Sequence, residues 1–312
     1  ALVVLDAKPL APTEFGPDVV FSAVDVGFYD EQVAQDGIVA PVQSGLVMSQ
    51  RHVMDLALMA SANNYAQSLA AWAFGSEAGY VEAARRWLAE QGMTSTTIAD
   101  ATGINPGNVS TVTDLITLAK LAVADPVVSQ IVATAALEIP QIGVVENRNA
   151  LLGLDGIDGI KTGTLDEAGS CLLFSADHTI GGETVTLVGV VLGGASHDTI
   201  NVAVRGILAQ ADAGFREVTL VTEGEPFADY ETSWGDTATA VAASTATVVV
   251  WGATAVTAQI TAEPVTLATA GTPTGRVTFS VGEREISVEL VLNSTIDDPG
   301  PWWRLGNPAR LL

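Results

Sequence analysis

Gly153-Leu154-Asp155-Gly156-Ile157-Asp158-Gly159-Ile160-Lys161-Thr162-Gly163 is the stretch on which the reading of this chain turns. A glycine-rich approach leads into Lys-Thr-Gly and, soon after, into an apolar segment with the look of a strand. Lys8, Lys120 and Lys161 are the only three lysines in 312 residues. For so little lysine, a chance Lys-Thr-Gly is expected on the order of a few per cent of the time. An ammonium and a hydroxyl on one strand can grip a carboxylate, and a residue without Cβ beside them lets another backbone lie close. The plainer reading is a surface strand with an exposed lysine. A phosphate loop is excluded, because Ile160 separates Gly159 from Lys161 and breaks the Walker spacing.

Upstream of this stretch the pattern is mostly helical. A short strand is expected at 19–21 and a turn and helix at 22–33. Ser49 reads as the N-cap of a helix over 50–60. Further helices are expected at 65–74 and at 77–91, the latter stopped by Gly92. Thr111-Val112-Thr113-Asp114 reads as a capping box for a helix reaching about residue 123, and Pro126 starts another. From 159 the pattern turns to strands, at 159–163, 170–175 and 184–192, with Gly181-Gly182 as a turn. A helix over 196–211 then packs back on the sheet. After Phe215 Thr, Val, Ala and Gly dominate and helical periodicity fades, so 216–312 is expected to be a small all-β domain behind a mixed domain at 1–215. Trp302-Trp303 is expected to close the β-domain core; a short lipid-facing anchor is the sharper alternative.

Composition narrows the classes. The chain is 48 % apolar, which excludes disorder. Its net charge of −23 argues against nucleic acid and anionic membrane surfaces as partners. Cys171 is the only cysteine, so there is no intrachain disulfide. No basic leader or uncharged apolar run of spanning length is visible, so membrane attachment is not evident. Ala1-Leu2-Val3-Val4-Leu5-Asp6 reads like a helix entered midway, with no cap before it.

Ser61-Ala62-Asn63 is the second constellation. Its bland reading is a helix N-cap at Ser61, worth about 1 kcal/mol. Asn63 and Asn64 interrupt an apolar stretch, a costly placement unless they are hydrogen-bonded. Gly-x-Ser-x-Gly is absent, so no nucleophile elbow is present. His52, His178 and His197 are too few and scattered for a metal site and read as surface or packing residues. Cys171, in an apolar strand, reads as buried and inert. No metal or cofactor is expected.

Lys161-Thr162-Gly163 and Ser61-Ala62-Asn63 together resemble two of the three signatures of serine acyl-transfer enzymes that process cell-wall peptides. The stretch Met54 through Ala66, Asp100-Ala101-Thr102-Gly103-Ile104, Asn147-Arg148-Asn149 and Val190-Val191-Leu192-Gly193 are similar to the low-mass penicillin-binding proteins, the serine D-alanyl-D-alanine carboxypeptidases. The resemblance implies an α+β fold of the β-lactamase/transpeptidase type, an antiparallel sheet flanked by helices, followed by a β-rich domain. It implies that Lys161 and Thr162 hold the terminal D-Ala carboxylate, beside Gly163, that Ser61 relays a proton, and that Asn63 orients the peptide. It implies that the Thr164 N–H is half of an oxyanion hole. The implied substrate is a peptidoglycan stem peptide ending in D-Ala-D-Ala, the implied inhibitors are β-lactams, and the implied place is extracytoplasmic. The third signature, Ser-x-x-Lys, is missing: Leu5 stands three residues before Lys8. The expectation is therefore a truncated carboxypeptidase without its nucleophile or opening strands, inactive as given. The alternatives are a non-catalytic wall-peptide binding relative and, more weakly, a β-lactamase. Glu138 and Glu146 fall in no pattern characteristic of that last class.

Overall fold

Helix signals in the first half become helices in the computed structural model, which describes residues 1–308; residues 309–312, the end of the expected all-β domain, lie outside it. α1 (Leu2–Ala7), β1 (Asp18–Val20), α2 (Ala23–Ala34) and β2 (Val47–Ser49) come first. α3 (Gln50–Leu58), α4 (Asn63–Phe74), α5 (Glu77–Glu90), α6 (Val112–Ala124) and α7 (Pro126–Ala133) follow. Side-chain caps explain several of the starts. Ser22 and Asp25 form a capping box on α2, Ser49 accepts from His52 N, and Ser76 accepts from Gly79 N. Asp125 accepts from both Val127 N and Val128 N ahead of Pro126. The capping box expected at Thr111 is only half made. Thr111 Oγ1 accepts from Asp114 N at 3.2 Å, but the Asp114 carboxylate turns away to Ser95 N (3.0 Å) and the Thr96 hydroxyl (2.7 Å). It fastens a loop to α6 instead.

A hairpin of β3 (Ala136–Ile139) and β4 (Gly143–Glu146) comes next, followed by a three-stranded sheet. The sheet order is β5 (Ile157–Leu165), β6 (Gly169–Ile180), β7 (Glu183–Gly194). β5 and β6 are antiparallel, with Lys161 opposite Leu173 and Gly163 opposite Cys171. α8 (His197–Gly214) buries Ile200, Val204 and Leu208 against Leu172, Phe174 and Ala176 of β6. Ile160 joins the helical core built on Val53, Met54, Leu56, Met59 and Tyr65. Burying such side chains stabilises the fold by roughly 1.5–3 kcal/mol each. Helices thus pack on an antiparallel sheet, the α+β arrangement the sequence led us to expect.

The chain's contacts fall into two units: Ala1–His178 with Thr184–Ala209, and the hairpin tip Thr179–Glu183 with residues from Gln210 onward. The second unit holds β8 (Phe215–Val221), β9 (Pro226–Glu231), β10 (Thr237–Ala242), β11 (Ala246–Trp251), β12 (Val256–Ala262), β13 (Pro273–Val281) and β14 (Arg284–Leu292). Its sheets run β12-β13-β14-β10-β9 and β11-β8. Val248, Val250, Val277, Phe279 and Leu290 are among its buried core residues. A short α9 (Gly300–Gly306) carries the two tryptophans, and they do different things. Trp303 meets Trp234 edge-on at 6.0 Å, whereas Trp302 is 84 % exposed, so only one of the pair packs. Among the described residues no single helix is long and apolar enough to cross a membrane.

Candidate active site

The site begins where α3 ends and α4 starts. Ser61 sits between them with φ +57°, in the left-handed region, a conformation that costs a residue bearing a Cβ about 1–2 kcal/mol. Ser61 is not a helix cap: Ala62 occupies that position on α4, without a side-chain cap bond. Instead Lys161 Nζ donates to Ser61 Oγ across 100 residues of chain, and also to Thr162 O at 2.9 Å. An observed strain of this kind, aimed at a polar partner, is characteristic of functional corners.

Asn63 and Asn64 are both satisfied, by different partners. Asn64 is buried and closes a two-way contact with Ala40, accepting from its N at 3.1 Å and donating to its O at 3.0 Å. Asn63 Oδ1 accepts from Ile38 N at 2.9 Å and its Nδ2 donates to Thr102 O at 3.2 Å. It therefore joins two walls of a cleft, with one lone pair and one N–H left over. The Thr102 wall is a loop organised by Asp100. That carboxylate accepts from Gly103 N, Asn108 Nδ2, the Thr102 hydroxyl and Asn105 N. Burial pulls the Asp100 carboxyl upward, but these hydrogen bonds outweigh it and hold the group below its ordinary value. Glu77 Oε1 accepts from Ala101 N at 3.0 Å and steadies the same loop.

The cleft has a volume of about 690 Å³ and is lined by all six residues singled out in the sequence: Ser61, Asn63, Lys161, Thr162, Gly163 and Thr164. No atom lies within 4 Å of where a Cβ would stand on Gly163, so the strand is open there to an incoming chain. Lys161 is lowered from its ordinary value to about 8, by burial first and by the charge of Arg148 second. A cation, a hydroxyl and an open strand edge together can seat a chain that ends in a carboxylate.

Three further residues line the cleft that sequence reasoning passed over. His197 Nε2 lies 2.8 Å from Thr164 Oγ1; it opens α8, and nothing in its spacing distinguishes it from a surface histidine. Arg148 counted only as part of a landmark, though it is charged and flanked by two asparagines. Cys171 is half-buried on the cleft wall, not sealed in the core as expected, because its partner across the sheet is Gly163, which has no side chain to cover it. Glu138 and Glu146 stand on the β3–β4 hairpin and do not line the cleft.

A family model for D-alanyl-D-alanine carboxypeptidase, peptidase S11, matches residues 3–196, a span that contains the Ser61 corner and the Lys161 strand. The chain belongs to this family. The resemblance read from its motifs therefore holds at the family level. Among curated proteins, a D-alanyl-D-alanine endopeptidase of Pseudomonas aeruginosa is 32 % identical over 195 residues, 60 % of this chain and 59 % of that protein. A D-alanyl-D-alanine endopeptidase of Escherichia coli K12 is 28 % identical over 180 residues, 55 % of each. The match thus spans less than two thirds of either relative. Among solved structures, the peptidoglycan synthesis regulatory factor PBP3 of Streptococcus pneumoniae aligns with TM-score 0.65 at 20 % identity, over 95 % of this chain and 89 % of that one. Penicillin-binding protein 5 of Haemophilus influenzae aligns at 0.61 and 20 %, over 95 % and 86 %. The Streptomyces K15 DD-transpeptidase aligns at 0.59 and 23 %, over 68 % and 86 %. At these identities the likeness concerns the fold: this family's α+β body, followed here by a β-rich unit.

Proposed function

We propose that this chain is a serine-type D-alanyl-D-alanine carboxypeptidase of the cell envelope, whose cleft takes peptidoglycan stem peptides ending in D-Ala-D-Ala. The observation that carries this reading is the hydrogen bond from Lys161 Nζ to Ser61 Oγ, made over the open strand of Thr162 and Gly163. The ammonium of Lys161 and the hydroxyl of Thr162 hold the terminal carboxylate. The Thr164 N–H donates to the oxygen that becomes negative when the scissile carbonyl is attacked, a contribution of about 10²–10³ in rate for donors of this kind. Ser61 Oγ passes a proton to the departing D-Ala amine as the C–N bond breaks, and water then hydrolyses the acyl ester. The attacking oxygen is the family's Ser-x-x-Lys serine. Residues 1–312 contain no Ser-x-x-Lys, so these residues supply binding and proton handling, and β-lactams find no serine here to acylate.

A second reading is favoured by the names of the two curated relatives, both endopeptidases. It keeps the same machinery but has a larger leaving group. The test of the common core is binding. Titration calorimetry of residues 1–312 with acetyl-D-Ala-D-Ala is expected to give saturable binding that acetyl-L-Ala-L-Ala does not share and that Lys161→Ala removes. Equal binding of the two enantiomers, or an unchanged Lys161→Ala, overturns it. Intact mass after incubation with a labelled penicillin is expected to be unaltered; a covalent adduct would refute the assignment of the nucleophile.

A further inference from the structure

Among the described residues, β12 is the only strand in which every residue is exposed. It forms one edge of the five-stranded sheet, with β13 as its hydrogen-bonded neighbour. The pairing runs from Val256 opposite Val281 to Ala262 opposite Gly275 without a shift in register. The outer side of β12 therefore presents an unbroken row of backbone N–H and C=O groups with no strand beside it. The row stops at Glu263, whose N–H donates to Thr274 O at 2.7 Å and whose carbonyl accepts from the Tyr230 hydroxyl at 2.9 Å.

The two edges of this sheet differ. β9, at the far edge, carries Pro226, Asp229 and Glu231, and its register against β10 shifts between Ala240 and Val241. Proline, charge and irregularity keep an edge from pairing with another chain. Val256-Thr257-Ala258-Gln259-Ile260-Thr261-Ala262 has none of the three. Copies of a chain with net charge −23 repel one another. Contact between them requires an uncharged meeting place, and this strand is one.

The side chains of β12 divide by face. Val256, Ala258 and Ile260 stand opposite Val281, Phe279 and Val277 of β13, on the face those three turn into the core. Yet Val256 and Ile260 are 41 % and 48 % exposed. Thr257, Gln259 and Thr261 occupy the other face. Laid antiparallel against its own copy about a two-fold axis at Gln259, the strand sets Val256 opposite Ala262 and Ala258 opposite Ile260. Thr257 then meets Thr261, and Gln259 meets the partner's Gln259, polar against polar. Glu263 falls opposite Ala255, so no two acids oppose each other. A slip of one residue would set Val256 against Thr261 and Ala258 against Gln259.

We infer that β12 is a homodimer interface, in which two copies of this chain pair their β12 strands antiparallel about Gln259. The two five-stranded sheets then join into one sheet of ten, with the guarded β9 edges at its ends, so the assembly closes at two. This pairing stands apart from the reading of the cleft.

Sedimentation of residues 1–312 tests it. One short strand pair is a small interface, so the dimer is expected to be weak, half-formed at about 10–100 μM. Gln259→Lys and Gln259→Glu each bring like charges together at the axis, and each is expected to be monomeric at about 100 μM. Mixed in equal amounts they set Lys opposite Glu, and the dimer is expected to return. A monomeric unaltered chain, a dimer that survives both substitutions, or a mixture that stays monomeric overturns the inference. A second readout needs no variant. Amide exchange at 256–262 is expected to slow as the concentration rises from about 1 to 100 μM, and exchange independent of concentration overturns the pairing.

Discussion

Ser61 is where stability and chemistry pull against each other. Its left-handed backbone suits glycine, yet its hydroxyl is what Lys161 engages. Ser61→Gly is expected to be more stable than Ser61→Ala by about 1 kcal/mol in urea unfolding, because only the glycine relieves the strain. Both are expected to weaken binding of acetyl-D-Ala-D-Ala. Lys161, lowered to about 8, gives a pH prediction. The ammonium is lost as pH rises through about 8, so affinity for the carboxylate-ended peptide falls between pH 7 and 9; affinity flat to pH 9 in calorimetry would contradict this. In the absence of ligand the sign is opposite for the fold. The unfolded chain, with lysine at its ordinary 10.5, holds more protons between about 8 and 10.5, so this group's contribution to stability rises with pH over that window. Lys161, Thr162, Ser61 and Asn63 were legible because two short motifs marked them in a chain with very little lysine. His197 and Arg148 were not. Each reaches the cleft by three-dimensional placement, at a helix start and on a pinned loop, and no local period encodes that.

Among the elements, α3 carries a test of its own. Asp55 is buried beneath it, paired with Arg51 Nε at 3.2 Å one turn earlier. Burial raises the Asp55 carboxyl to about 6 despite the opposing pull of Arg51. Arg51→Ala leaves that carboxylate buried and unpaired, and is expected to cost about 3–5 kcal/mol at neutral pH. The loss should shrink as pH falls through about 6, where Asp55 takes up a proton; chemical denaturation at pH 7.5 and pH 5 measures the difference, and an equal loss at both would count against it. Helix α3 could be read in advance from its cap Ser49, α5 from Gly92 beyond its end and α7 from Pro126 at its start, whereas the caps Ser22, Ser76 and Asp125 emerged only with the structure. The β3–β4 hairpin could not, since four-residue strands are too short to show alternation. The Thr111 capping box misled for a related reason. Asp114 had better partners in Ser95 and Thr96, 19 and 18 residues away in sequence but adjacent in space.

At the scale of the whole molecule, a net charge of −23 contrasts with a cleft whose lining includes Arg148, Lys161 and His197 but only Asp36 among acids. An anionic peptide must approach through a repelling field before it meets the cations. Its association rate, by stopped flow, is therefore expected to increase as salt is raised from low ionic strength toward 0.15 M, where the Debye length is about 8 Å. A rate that declines would mean that the local cations dominate at a distance. The α+β class was readable at this scale because helical periodicity gives way to strand patterning near residue 159. How the helices close over the strand was not, because that depends on packing between segments far apart in the chain. Ser61 and Lys161 lie 100 positions apart. At a synthesis speed of about 5–20 residues per second they leave the ribosome roughly 5–20 s apart. A nascent polypeptide stalled between them would hold the serine corner without its amine.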